Sequence, residues 1–377
     1  MAETEDVVLL REVCAPVKKR VAFAQLNAER SLNALSLPMI DILEPALRRW
    51  AVDPGIACVV LHGAGEKAFC AGGDIRSLYH AMLTHPGALP NPKNLEFFSR
   101  EYRLDNLIHN YPKPIMVWGS GIVMGGGLGL MAGASHRVVT ETSRVAMPEI
   151  TIGLFPDVGG SYFLSRMPRA YGRFLALTGA SINGHDLIEA GLADQFVKAE
   201  DREAIFGALA SVNWRDDAAH NKRALSELLQ SFSKPAQTAL PVSNLLTHRD
   251  TLNALTAGDT LTAVYKAITG YKGEEKWLVR AAQSLAAGSP TTAALIWELL
   301  KRGAKMTLAE VFRMELIVAL QCCAHNDFAE GVRALLIEKD NAPKWKPASL
   351  AEIKPSHIET HFTAPNWVGG IHPLADL

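Results

Sequence analysis

Short apolar runs rich in β-branched residues recur through the first half of the chain: VAFAQL (21–26), ACVVLHG (57–63), PIMVWGSG (114–121) and HRVVTE (136–141). Continuous apolar character over so short a span, closed each time by a turn, predicts buried strands. Between them apolar positions recur at helical spacing over 36–50, about 94–109 and 126–134. Strands alternating with helices predict an α/β region built on parallel sheet. Pro54-Gly55 and the prolines at 112 and 114 punctuate it.

Beyond about residue 200 the pattern changes. Leu, Ala, Glu and Lys dominate, and amphipathic periodicity predicts helices over 203–212, 221–231, 258–269, 274–287, 291–302, 307–323 and 328–339. Ser36 and Thr307 are placed as N-caps, Thr307 with Glu310 three residues on as a capping box. Asp327 is placed to cap the helix FAEGVRALLIEK. The expected division is a 1–200 α/β core and a 201–377 all-helical region.

Composition narrows the function classes. The 377 residues are 48% hydrophobic and 20% charged, with a formal net charge of −1. That balance offers no field for nucleic acid or an anionic membrane, so neither partner is expected. Five cysteines, none in a C-x-x-C pair, fit a reducing compartment. The acidic start MAETEDVVLL fits neither a secretory signal nor a transit peptide. Apolar stretches of about ten residues are too short to span a bilayer, and a cytoplasmic protein is expected. There is no phosphate loop, H-E-x-x-H or G-x-S-x-G, and the histidines do not cluster at metal-ligand spacing. No metal or redox cofactor is expected.

Three stretches carry candidate chemistry. KAFCAGGDIRSLY (67–79) and GSGIVMGGGLGL (119–130) each follow a predicted strand and lead into a predicted helix. Glycine there lets backbone N–H groups approach a ligand, and two such loops can supply the two donors of an oxyanion hole. Glycines in these places also serve tight turns and close packing. The third stretch, AMPEITIGLFPDVGGSYFL (146–164), sets Glu149 and Asp157 eight residues apart among apolar neighbours. They read either as two acid/base groups of one pocket or as a solvated glutamate and a helix cap.

LNAERSLNALS (26–36), AFCAGGDI (68–75), GIVMGGGLGL (121–130) and the 146–164 stretch together resemble the crotonase superfamily, the enoyl-CoA hydratase/isomerase family. GLFPDVGG and DFAEGVRALLIEKDNAPKWKPASL (327–350) are similar to its 3-hydroxyisobutyryl-CoA hydrolase branch, and the resemblance runs from about residue 20 to residue 362. It implies a crotonase-like spiral of ββα turns with an all-helical C-terminal region. It assigns the oxyanion-hole donors to the backbone N–H groups of Gly73 and Gly126. It lays Gly73, Asp74, Ile75 and Arg76 along the bound CoA thioester. Glu149 matches the family's catalytic glutamate, Asp157 the branch's substrate-contacting aspartate, and Glu101 a further substrate-contacting acid. Coenzyme A enters as part of the substrate. Relatives often form trimers or hexamers, which makes a homo-oligomer possible, but the helical C-terminal region can cover the trimer surface, so monomer or dimer stays open.

The chain departs from the wider family at one telling position. Typical hydratases carry a second glutamate three residues after the oxyanion-hole glycine, where this chain has Gly129. Adding water across a C=C bond there uses two carboxylates, so the resemblance implies hydrolysis of a short branched 3-hydroxyacyl-CoA instead, above all 3-hydroxyisobutyryl-CoA of valine breakdown. Glu149 either attacks the thioester carbon or activates water, and Asp157 accepts a hydrogen bond from the substrate hydroxyl. An enoyl-CoA hydratase or isomerase on the same fold is the alternative, and a non-catalytic CoA-binding scaffold a third. The retained Glu149 and glycine loops argue against the scaffold.

Overall fold

The computed structural model describes residues 6–168 and 170–377; the first five residues of the acidic start lie outside them. The described residues form strands β1 (Val8–Cys14), β2 (Arg20–Leu26), β3 (Ile56–Gly63), β4 (Ala68–Cys70), β5 (Ile115–Gly119), β6 (Ile122–Met124), β7 (His136–Val139), β8 (Arg144–Ala146), β9 (Ile182–Asn183) and β10 (Gln195–Phe196). A six-stranded sheet runs β1-β2-β3-β5-β7-β10, and a four-stranded sheet runs β4-β6-β8-β9.

The chain passes from one sheet to the other in a repeated step. β3 joins the larger sheet, β4 the smaller, and helices follow; β5, β6 and the helix Gly126–Ala132 repeat the step, and β7 and β8 begin it again. Pairing is parallel from β2 through β10 in the larger sheet and between β4 and β6 in the smaller. This is a spiral of ββα turns. β3 is buried at every position, as a parallel strand covered on both faces must be.

The four runs predicted as strands are β2, β3, β5 and β7. β1 lacks their pattern because six of its seven residues keep some exposure. It is an edge strand, antiparallel to β2 from Val8–Leu26 to Cys14–Arg20, and edge strands need no continuous apolar run.

The chain forms two compact units that interleave along the sequence: Met1–Gly73, Leu104–Val145 and Ile182–Ser243; and Asp74–Arg103, Ala146–Ser181 and Asn244–Leu377. The core of the first packs Val21, Phe23, Val60, Trp118, Phe206 and Trp214, with Phe206 edge-on to Phe23 and Trp118 at 5.5 and 5.7 Å. The second is helical, and its longer helices include Lys276–Ala287, Pro290–Gly303 and Leu308–Ala324. No strand follows Phe196 among the described residues, so the change of texture near residue 200 is a change to helix.

Two of the three expected caps form. Ser36 accepts the Met39 N–H, and Thr307 and Glu310 make a reciprocal capping box. Asp327 does not cap: its helix already begins at Asn326. Its carboxylate accepts instead from Ser289 Oγ and the Lys346 N–H, at 2.7 and 2.8 Å.

Candidate active site

The glycines of the two loops, through Gly73 in the first and Gly127 in the second, belong to the first unit and lie against each other. A Cβ on Gly127 would stand 2.1 Å from the Cys70 carbonyl oxygen, and one on Gly72 3.4 Å from that of Met124. Only glycine admits the first approach. Asn33 braces this region from within: fully buried, it donates to the carbonyls of Ala64 and Ala68 at 3.0 and 2.9 Å. Leu35 N–H then reaches the Gly72 carbonyl, and Ala71 N–H that of Leu32. Neither the Gly73 nor the Gly126 N–H donates to a backbone carbonyl among the described residues. Gly126 opens its helix, where the first N–H groups have no partner within the helix.

Asp74 caps the helix Ile75–Thr84, accepting from the Ser77 N–H at 3.2 Å and the Ser77 hydroxyl at 2.6 Å. Ile75 is that helix's first residue, and Arg76 is exposed, its guanidinium donating to the Leu336 carbonyl at 3.1 Å. The resemblance assigns all three to the thioester; locally, Asp74 and Arg76 also tie down their own helix.

In the second unit Glu149 opens a 3₁₀ turn, Glu149–Ile152, closed by Gly153 at φ +74°. The turn is held from the C-terminal helices. Ser289 N–H donates to the Ile150 carbonyl at 3.1 Å, and Gly331 and Gly153 pack so closely that a Cβ on either would meet backbone at 2.4 and 2.3 Å. The glutamate itself is 6% exposed, and its Oε2 has no hydrogen-bond partner among the described residues. An unpaired buried carboxylate oxygen is costly.

Asp157 is buried too, and its Oδ2 accepts from the Tyr102 hydroxyl at 2.7 Å. The cap alternative fails: the short helix Gly160–Phe163 has Gly159 at its N-cap and no side-chain cap of its own. Its amides are taken by Glu315 from the helix Leu308–Ala324, whose two oxygens accept the Gly159 and Ser161 N–H groups at 2.8 and 2.9 Å. Glu101 is buried at 2% exposure one residue before Tyr102. Tyr102 and Glu315 were not singled out in the sequence. The signal for Glu315 was a glutamate inside the apolar run MELIVAL; Tyr102 adjoined a residue already chosen.

Burial governs the electrostatics. It pushes Glu149 well above the ordinary glutamate range, with the Asp157 charge adding to it. It raises Asp157 to about 6, the Tyr102 hydrogen bond pulling the other way. Glu315 rises to about 8, chiefly by burial, against the pull of its two amides. Tyr102 is pushed up by burial and by Asp157, Glu315 and Glu101. Such a group of carboxylates cannot all ionise freely, and strongly perturbed acids of this kind cluster where chemistry is done. Among the described residues no set of three or more His, Cys, Asp or Glu is arranged to hold a metal ion, and no helix is long and apolar enough to cross a membrane.

Comparison with known proteins gives the same family as the motifs. A family model described as enoyl-CoA hydratase/isomerase matches residues 21–362. A relative from Xenopus laevis, named 3-hydroxyisobutyryl-CoA hydrolase, mitochondrial, is 38% identical over 340 residues, 90% of this chain and 85% of the relative. Among solved structures, a carnitinyl-CoA dehydratase from Mycobacterium thermoresistibile aligns at TM-score 0.82 and 33% identity, over 95% of this chain and 96% of that one. An enoyl-CoA hydratase from Rhodobacter sphaeroides 2.4.1 aligns at 0.81 and 32%, over 95% and 97%. Because the likeness covers the sheets and the helical region alike, this chain belongs to the enoyl-CoA hydratase/isomerase family, in the branch of the 3-hydroxyisobutyryl-CoA hydrolases.

Proposed function

We propose that this protein hydrolyses the thioester of a short branched 3-hydroxyacyl-CoA, above all 3-hydroxyisobutyryl-CoA, to the hydroxy acid and coenzyme A. The observation that carries the reading is the buried Glu149, with an unpartnered carboxylate oxygen and the Asp157 charge acting on it, in a chain similar to named hydrolases of that ester. In the proposed reaction Glu149 attacks the carbonyl carbon, the C–S bond breaks, CoA leaves as thiolate, and water hydrolyses the glutamyl anhydride. In its variant Glu149 takes the proton of a water that attacks directly. Either way the charge forming on the carbonyl oxygen is assigned to the N–H groups of Gly73 and Gly126; one such donor typically contributes about 10²–10³ in rate. Asp157 accepts from the 3-hydroxyl, and Glu101, Asp74, Ile75 and Arg76 are proposed to contact the substrate. CoA needs no companion cofactor here, since the leaving thiol has a pKa of only about 8–9.

The names of the two solved structures favour a second reading, hydration of an enoyl-CoA. Against it stands Gly129, buried and without a side chain in the helix Gly126–Ala132, at the position of the hydratases' second glutamate. A thiol reagent decides. Thiol release from 3-hydroxyisobutyryl-CoA supports hydrolysis; a change in enoyl absorbance without thiol release refutes it. A place in valine breakdown, a cytoplasmic location and a homo-oligomer belong to the same proposal. Cell fractionation and sedimentation read out the last two, the first of them against a relative named as mitochondrial.

A further inference from the structure

Asp157 stands in a turn that its own residues do not favour. The next residue, Val158, has φ +50°, and Gly159 follows at +85°. The left-handed region is unfavourable for a β-branched residue and persists only where the surroundings over-determine it. Glu315 supplies that constraint through its two hydrogen bonds to the Gly159 and Ser161 amides. Three residues earlier on the same helix, Phe312 sets its ring 5.7 Å from that of Tyr102, the donor to Asp157 Oδ2. Residues three apart share a helix face, so one face of Leu308–Ala324 holds both the backbone and the side-chain support of Asp157. A wholly buried carboxylate is a poor means of stabilising a turn, since its desolvation is costly and Asp157 repels it. It is a good means of fixing two amides in direction.

We propose that Glu315 is a positioning residue: by clamping the Gly159 and Ser161 amides it aims the Asp157 carboxylate at the substrate hydroxyl and sets selectivity for 3-hydroxyacyl thioesters. The proposal rests on the role given to Asp157 above. Glu315→Gln keeps the shape but leaves one accepting oxygen for two N–H groups. Thiol release is measured with 3-hydroxyisobutyryl-CoA and with isobutyryl-CoA, which lacks the hydroxyl. The expected result is a loss of about tenfold or more in kcat/KM on the hydroxylated ester, with the deoxy ester within about twofold of wild type. Should Glu315→Gln not fold, the double variant with Val158→Gly, which relieves the positive φ, is measured instead. Equal losses on both esters, or none, overturn the proposal. Asp157→Ala run alongside separates the two ideas. If it is hydroxyl-selective and the Glu315 variant is not, only the role of Glu315 falls; if neither is selective, the role of Asp157 falls with it.

Discussion

Truncating Asp157 to alanine separates what this carboxylate does for the reaction from what it does for the fold. In the fold it is 4% exposed, and burial holds its pKa at about 6 against an ordinary 3.8. At neutral pH the ionised group therefore weighs against folding. Because the folded value lies above the unfolded one, this penalty is absent below pH 3.8, builds between 3.8 and about 6, and is complete above that. Alanine removes it. Alanine also orphans the wholly buried Tyr102 hydroxyl, which costs about 1–3 kcal/mol. The two terms oppose each other at neutral pH, so the variant's melting temperature should fall less near neutral pH than at acidic pH, where only the loss remains. Catalysis should behave differently. A hydrogen bond to a charged acceptor contributes about 1.5–3 kcal/mol, or roughly 10- to 150-fold in kcat/KM. That loss should appear in thiol release from 3-hydroxyisobutyryl-CoA and largely vanish with isobutyryl-CoA. Equal losses on the two esters, with a melting temperature lowered as much at neutral as at acidic pH, would refute the reasoning and leave Asp157 a structural residue.

Glu149→Gln should abolish thiol release while coenzyme A still binds by calorimetry; a variant keeping more than about a tenth of the wild-type rate contradicts a nucleophile or base, whose loss typically costs about 10²–10⁴-fold. Since burial and Asp157 push Glu149 upward and the reaction needs it ionised, kcat/KM should rise with pH along an acid limb above the ordinary glutamate value. Asp157→Asn, which removes the neighbouring charge, should move that limb to lower pH, and an unmoved limb in the pH–rate profile argues against the coupling. Gly126→Pro deletes one proposed oxyanion donor at the first position of a helix, where proline is tolerated. Activity should fall about 10²–10³-fold with the circular dichroism unchanged, and a folded, fully active variant removes Gly126 from the oxyanion hole.

The elements with strong one-dimensional signals were legible in the sequence alone. The apolar runs that became β2, β3, β5 and β7, the capping box at Thr307 and Glu310, and the helical texture after residue 200 all depend on neighbours a few residues away. The glycine clusters and the Glu149–Asp157 stretch were legible too, because a carboxylate among apolar residues is out of place locally. Tertiary structure decided the rest. β4, β6 and β8 have three residues each, too few for any periodicity, and only pairing in the second sheet makes them strands. Asp327 looked like a cap because a cap is judged by the helical residues just beyond it; in the fold it reaches Ser289, 38 residues earlier in the chain, and Lys346, 19 residues later. Asp157 also read as the cap of the helix that follows until Glu315, 156 positions from Gly159, took the helix amides and Tyr102, 55 positions away, donated to the carboxylate. Periodicity and capping are short-range energies written along the chain. The pairing of buried carboxylates is a long-range one, set by which distant segments the packed helices bring together.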